Sequence, residues 1–167
     1  MENILDGKRI LIVDDEPDIL ETLVEILDTC LVDSAPNFET AQKFLNKNRY
    51  DLAILDIMGV RGYELLELAN ERNIPALMLT AHAVSHENLV KSIKGGADSY
   101  LPKEEMGNIK TFLIDILKSQ EKGESTWEPW DRRLSSSYFE RKWGGDWKDQ
   151  DREFWKKYKA GKKDNKP

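Results

Sequence analysis

The sequence predicts an α/β domain: a doubly wound parallel sheet of five strands with helices on both faces, followed by a short C-terminal helical extension. Three observations point there. Five short apolar runs alternate with five segments of helical periodicity, the order that right-handed crossovers over both faces of a parallel sheet require. Two of the runs, residues 8–13 (KRILIV) and 52–55 (LAIL), are apolar almost throughout, as in strands buried on both faces. Four of the five strands lead into polar residues, namely Asp14 and Asp15, Asp56, Thr80 and Lys103. In such a sheet all carboxyl ends share one edge, so these side chains should meet in a single crevice.

Each element has its own signal. After the first strand come Asp14, Asp15, Glu16 and Pro17, then Ile19, Leu20, Leu23, Val24, Ile26 and Leu27 at spacings of three and four. That is a helix with a wide apolar stripe, opened by a Pro whose missing N–H costs nothing in the first turn. Residues 31–35 form a short second strand. Residues 38–46 form a helix with Ala41, Phe44 and Leu45 inward. The third strand ends at Asp56, and residues 63–70 are helical with Leu65, Leu66 and Leu68 apolar. The fourth strand, residues 74–79 (IPALML), ends on Thr80. Residues 84–94 are helical, stopped by Gly95 and Gly96. Residues 99–101 make a brief fifth strand before Pro102 and Lys103, and residues 106–117 make the last helix, with Ile109, Phe112, Leu113, Ile116 and Leu117 on one side.

Composition narrows the function. The chain has 167 residues, of which 40% are hydrophobic and 34% charged, the profile of a soluble globular domain. No apolar run approaches the roughly 20 residues of a membrane helix, and the amino terminus shows no basic-then-apolar signal. Cys30 is the sole cysteine, so no internal disulfide is possible; it is read as a buried apolar residue closing the first helix, and the expected compartment is the cytoplasm. Residues 1–119 carry 12 Lys and Arg against 21 Asp and Glu, whereas residues 120–167 carry 13 against 10. An acidic body argues against nucleic acid as its main partner.

The crevice has a definite chemistry. Three carboxylates, Asp14, Asp15 and Asp56, repel one another unless one is protonated or a cation shares the site. Oxygen ligands in a loose cluster suit Mg²⁺, with waters and phosphate oxygens completing the shell. Lys103 adds a positive charge and Thr80 a hydroxyl donor, a set able to stabilise a phosphoryl group carried on Asp56.

Four stretches in order, VDDEP (13–17), AILDIM (53–58), LTAHA (79–83) and GADSYLPK (96–103), together resemble the receiver domain of two-component response regulators. The resemblance covers roughly residues 7–119, and four ordered motifs are far more specific than one. It implies a flavodoxin-like strand order 2-1-3-4-5 and a phosphoryl group accepted on Asp56 from a histidine kinase or phosphotransfer protein. It also implies Mg²⁺ held by Asp14, Asp15, Asp56 and the backbone carbonyl of Met58, a switch pair of Thr80 and Tyr100, and Lys103 as the site's cation. Beyond its own phosphorylation and dephosphorylation, such a domain is not an enzyme. Its output is a changed surface for a downstream protein target.

The sequence departs from the family pattern twice. Val60 stands where the family usually has Pro, and Arg61-Gly62 follows at once, so the loop into the third helix is shorter than usual. Glu104 follows Lys103 where the family usually has Pro, so the Lys103–Glu104 peptide is expected to be trans. His82 and His86 lie four apart, but no third ligand is visible for zinc; His82 is read as bordering the site.

All five Trp lie beyond Gln120: Trp127, Trp130, Trp143, Trp147 and Trp155. Residues 120–126 read as a polar linker between a receiver domain, residues 1–119, and an aromatic and basic helical tail, residues 127–167, with a disordered end. Trp147, Phe154, Trp155 and Tyr158 share one helical face, and Leu134 and Tyr138 suggest a shorter helix before it. Aromatic and basic residues together can stack on nucleic acid, and a transcriptional or RNA-binding regulator is the alternative. Acids are almost as common in the tail, however, and no DNA-binding pattern is visible. Docking on protein is therefore expected, in cis on the receiver or across a homodimer. A receiver-like scaffold that takes no phosphate is disfavoured by the intact set of acids, Thr80 and Lys103.

Overall fold

The computed structural model describes residues 3–81 and 86–134. The sheet has five strands, β1 (Arg9–Val13), β2 (Leu31–Ala35), β3 (Leu52–Asp56), β4 (Ala76–Thr80) and β5 (Ser99–Pro102). They lie in the order β2-β1-β3-β4-β5, and every pairing is parallel. This is the flavodoxin-like arrangement. In β3 and β4 every residue is buried, which is why their sequence shows no alternation.

The helices are α1 (Pro17–Ile26), α2 (Phe38–Lys47), α3 (Gly62–Glu71), α4 (His86–Lys94), α5 (Ile109–Lys122) and α6 (Trp127–Arg133). Local chemistry sets their ends. Pro17 opens α1, and Asn37 caps α2 by accepting a hydrogen bond from the Thr40 N–H at 2.8 Å. Gly123, with φ +68°, closes α5 in the left-handed region. Leu23, Leu45, Leu65, Leu66, Leu89 and Leu113 bring the helices' apolar faces onto the sheet and join one core. No helix among the described residues is long and apolar enough to cross a membrane. Cys30 is half-buried rather than buried, and its Sγ–H donates to the Leu5 carbonyl at 3.3 Å.

Residues 103–134 depart most from expectation. A 3-10 turn, Lys103–Asn108, precedes α5, and α5 then runs to Lys122 rather than ending near residue 117. Residues 120–122, read as linker, are helical. Lys, Gln and Glu favour a helix, and their polarity marks its wet face, not its end. Ser125 and Thr126 are buried as well.

Helix α6 then folds back onto its own domain. Trp127 and Trp130 are 1% and 2% exposed and meet edge to face, with ring centroids 5.0 Å apart at 76°. The Trp127 indole N–H donates to the Ala97 carbonyl at 2.9 Å, and that of Trp130 to the Tyr100 carbonyl at 2.7 Å. The Thr126 hydroxyl donates to Asp98 at 3.2 Å, and Arg133 clasps Asp115 on α5. The two edge strands consequently differ: β2 is largely open, with Leu31 60% exposed, whereas every residue of β5 is buried. The start of the tail docks in cis. The expected helices carrying Tyr138, Trp143, Trp147, Phe154, Trp155 and Tyr158 lie outside the described residues, as does His82.

Candidate functional site

Because all strands run the same way, the carboxyl ends of β1, β3 and β4 and the turn after β5 share one edge. Asp14 follows β1, Asp56 ends β3, Thr80 ends β4, and Lys103 begins the turn after β5. Asp14, Asp56 and Thr80 are buried. Lys103 points among the acids: its Nζ is 2.8 Å from Asp14 Oδ2, 3.4 Å from Asp56 Oδ1 and 3.3 Å from Glu16 Oε1. The Lys103–Glu104 peptide is trans, so no Pro is needed after the lysine to aim it.

Asp14 is held from two sides. Its Oδ1 accepts the Glu16 N–H at 2.9 Å, and its Oδ2 faces Lys103. Carboxylate oxygens of Asp14, Asp15 and Glu16 come within 4.8 Å of one another. Asp15 and Glu16 are exposed while Asp14 is buried, so the cluster opens to solvent on one side. Tyr100 is wholly buried on β5, in register with Met78, and Thr80 lies opposite Pro102 on the same strand pair. The Met58 side chain is 70% exposed, in the loop after β3.

The electrostatics are those of excess negative charge in a dry place. Burial, then the neighbouring Asp14 and Asp15, push the Asp56 carboxyl up to about 7 against the pull of Lys103. Burial also raises Asp14, despite its bonds to Lys103 and the Glu16 N–H. For Lys103 burial acts downward, but pairing with Asp14 and Asp56 outweighs it and the ammonium is held above its ordinary value. One lysine does not offset four acids. The donors are all oxygen, and a hard divalent cation such as Mg²⁺ fits them.

The loop from β3 to α3 is shaped by two glycines, Gly62, which the sequence marked as the end of a short loop, and Gly59, which it did not. Gly59 has φ +83°, and a Cβ there would sit 2.4 Å from Asp15 Oδ2. A Cβ on Gly62 would sit 2.1 Å from the Asp56 carbonyl oxygen. This is how the shortened loop enters α3: Arg61 takes a left-handed φ of +57°, its guanidinium 4.1 Å from the Phe38 ring centre and paired with Glu64. Gly62 starts the helix directly against the Asp56 and Ile57 backbone. Glu16 was also missed as a partner of Lys103; its place directly after two acids was the available signal. Nothing in the sequence marked Trp127 and Trp130 as core residues apart from their size.

Comparison with known proteins points to one family. The family model described as the response regulator receiver domain matches residues 10–113. A two-component response regulator of Arabidopsis thaliana is 38% identical over 119 residues, covering 65% of this chain and 21% of that protein. A heme response regulator of Staphylococcus aureus is 39% identical over 99 residues, covering 56% of this chain and 43% of that protein. The chain thus matches less than half the length of these relatives. Among solved structures, a CheY-like receiver domain protein from Methanospirillum hungatei superposes with a TM-score of 0.57 at 31% identity, over 68% of this chain and 98% of that one. The response regulator DrrB of Thermotoga maritima gives 0.59 at 25% identity, over 68% of this chain and 54% of that one.

Proposed function

This chain belongs to the response regulator receiver family, and from that premise we propose that it is a phosphorylation-controlled switch with Asp56 as acceptor. The phosphoryl donor is a phosphohistidine on a kinase or phosphotransfer protein. A carboxylate oxygen of Asp56 attacks phosphorus, the P–N bond breaks, the imidazole leaves with its electron pair and takes up a proton, and an acyl phosphate remains. Asp14, Asp15, Asp56 and the Met58 carbonyl would hold Mg²⁺, which when bound would supply positive charge to offset that of the phosphoryl oxygens and of the acids themselves.

The chain's own groups do the rest. Lys103 exchanges its carboxylate partners for a phosphoryl oxygen. The Thr80 hydroxyl donates to another. Tyr100 then responds on the neighbouring strand, shifting the population between two arrangements of the surface near α4 and β5 that a downstream protein reads. Among the described residues, no feature favours the nucleic-acid alternative.

The observation that carries this reading is the position of Lys103 Nζ between Asp14 and Asp56, beside a buried carboxyl pushed up to about 7. Such a group is poised to gain a cation and an esterifying phosphoryl together. Intact-mass analysis after incubation with acetyl phosphate and Mg²⁺ should show one labile phosphoryl adduct, absent from Asp56→Asn and absent after chelation. Equal labelling of the variant rejects Asp56 as acceptor.

A further inference from the structure

We infer that α6 is a latch on the switch strand, and that loading Asp56 releases its Trp130 end; this rests on the phosphoacceptor reading above. Three of its polar anchors fall on one short stretch, Ala97, Asp98 and Tyr100, and that stretch ends three residues before Lys103. The strap is therefore bonded to the segment that carries both the switch aromatic and the site's lysine.

The anchors are unequal. At the first end, Thr126 Oγ1 donates to Asp98 Oδ1, and Asp98 Oδ2 accepts the Ala76 N–H at 3.0 Å. This buried carboxylate ties the strap to the start of β4, away from the acceptor. It is a pivot. At the other end, Trp130 donates to the carbonyl of Tyr100 itself, and Arg133 holds Asp115 at the exposed surface. Tyr100 is fully buried and its carbonyl accepts the Trp130 indole N–H, so a shift of its backbone strains that bond.

Two further facts make release feasible. Helix α6 has only seven residues, too few to persist without docking, so loss of one latch frays it locally. Lys103, gripped by three acids in this arrangement, must move toward a phosphoryl group on Asp56, and it pulls on the end of β5. Release exposes the Trp130 face of the strap and the flank of β5 that it covers, while Trp127 and Thr126 stay anchored.

The test uses the full chain labelled with ¹⁵N, with the indole N–H resonances of Trp127 and Trp130 assigned. Saturation with beryllofluoride and Mg²⁺ should move the Trp130 indole signal toward the water-exposed position and accelerate its hydrogen exchange, while the Trp127 signal stays. By reciprocity, Trp130→Phe, which keeps a ring but loses the donor, should bind beryllofluoride about fivefold more tightly, the low end of coupling between linked sites. Arg133→Ala, which cuts only the surface clasp, should shift affinity in the same direction and guards against misfolding of the core variant. If the Asp56 and Thr80 amides shift on loading but the Trp130 indole does not, the latch is wrong and the acceptor stands. If those amides do not respond at all, the acceptor reading fails. The latch as stated then falls with it, because nothing loads Asp56 to release Trp130.

Discussion

Replacing Asp56 with Asn should make the chain harder to unfold at pH 8 when divalent cations are chelated. Asp56 is 3% exposed, and its carboxyl is pushed from 3.8 up to about 7. Because the folded value is raised, the stability contributed by this group is present in full at low pH and is lost as pH rises through the folded value. Three pH units at about 1.4 kcal/mol each set a ceiling of about 4 kcal/mol for ionising it inside the fold. An Asn amide facing Lys103 returns part of that, while Lys103 keeps Asp14 and Glu16. A net gain of about 1–3 kcal/mol is expected, or roughly 5–10 °C in Tm for a body of this size. Thermal melts followed by circular dichroism at pH 8 and pH 5 separate charge from packing. The gain should shrink at pH 5, where the wild-type carboxyl is mostly protonated, and Mg²⁺ should stabilise the wild type more than the variant. A gain of equal size at both pH values, or no gain at pH 8, would refute the electrostatic reasoning.

Two other substitutions probe the scaffold. Gly62→Ala places a methyl against the Asp56 carbonyl and the Ile57 Cα, neither of which can yield cheaply. It should cost about 1–3 kcal/mol by urea titration and slow acetyl phosphate labelling, whereas Gly107→Ala, with nothing near its Cβ, should do neither. Trp127→Ala should cost about 3–5 kcal/mol, as expected for a large aromatic removed from a core. A loss below about 0.5 kcal/mol, ordinary for a surface position, would mean that α6 is not docked in solution.

Much of the sheet was legible because its signals are local. A strand buried on both faces has to be apolar throughout, so residues 52–55 and 74–79 announced themselves, and the polar residues at four of the five strand ends marked the crevice. The acids, Thr80 and Lys103 followed from strand direction alone. What failed to show was long-range or concerned shape. Gly59 and Gly62 matter because other atoms fill the space that a Cβ would need, and no spacing rule records that. Residues 120–122 read as the start of a linker, 120–126, because the wet face of a helix and a true linker have the same composition. Trp127 and Trp130 look like part of a tail because their partners, Ala97 and Tyr100, are 30 residues away.

The docking of α6 also constrains how this chain can vary. Both indoles reach carbonyls offset from them by the same 30 residues, and about half of the intervening path is α5, a rigid rod of 14 residues. Each residue inserted into such a rod turns the downstream chain by about 100° and advances it by about 1.5 Å. One insertion within α5 would swing both tryptophans off their acceptors at once, whereas many exchanges of side chain on its wet face would leave them in place. Helix α5 should therefore tolerate drift in the composition of its wet face but not in length. A single-codon insertion or deletion there would do more harm than several missense changes.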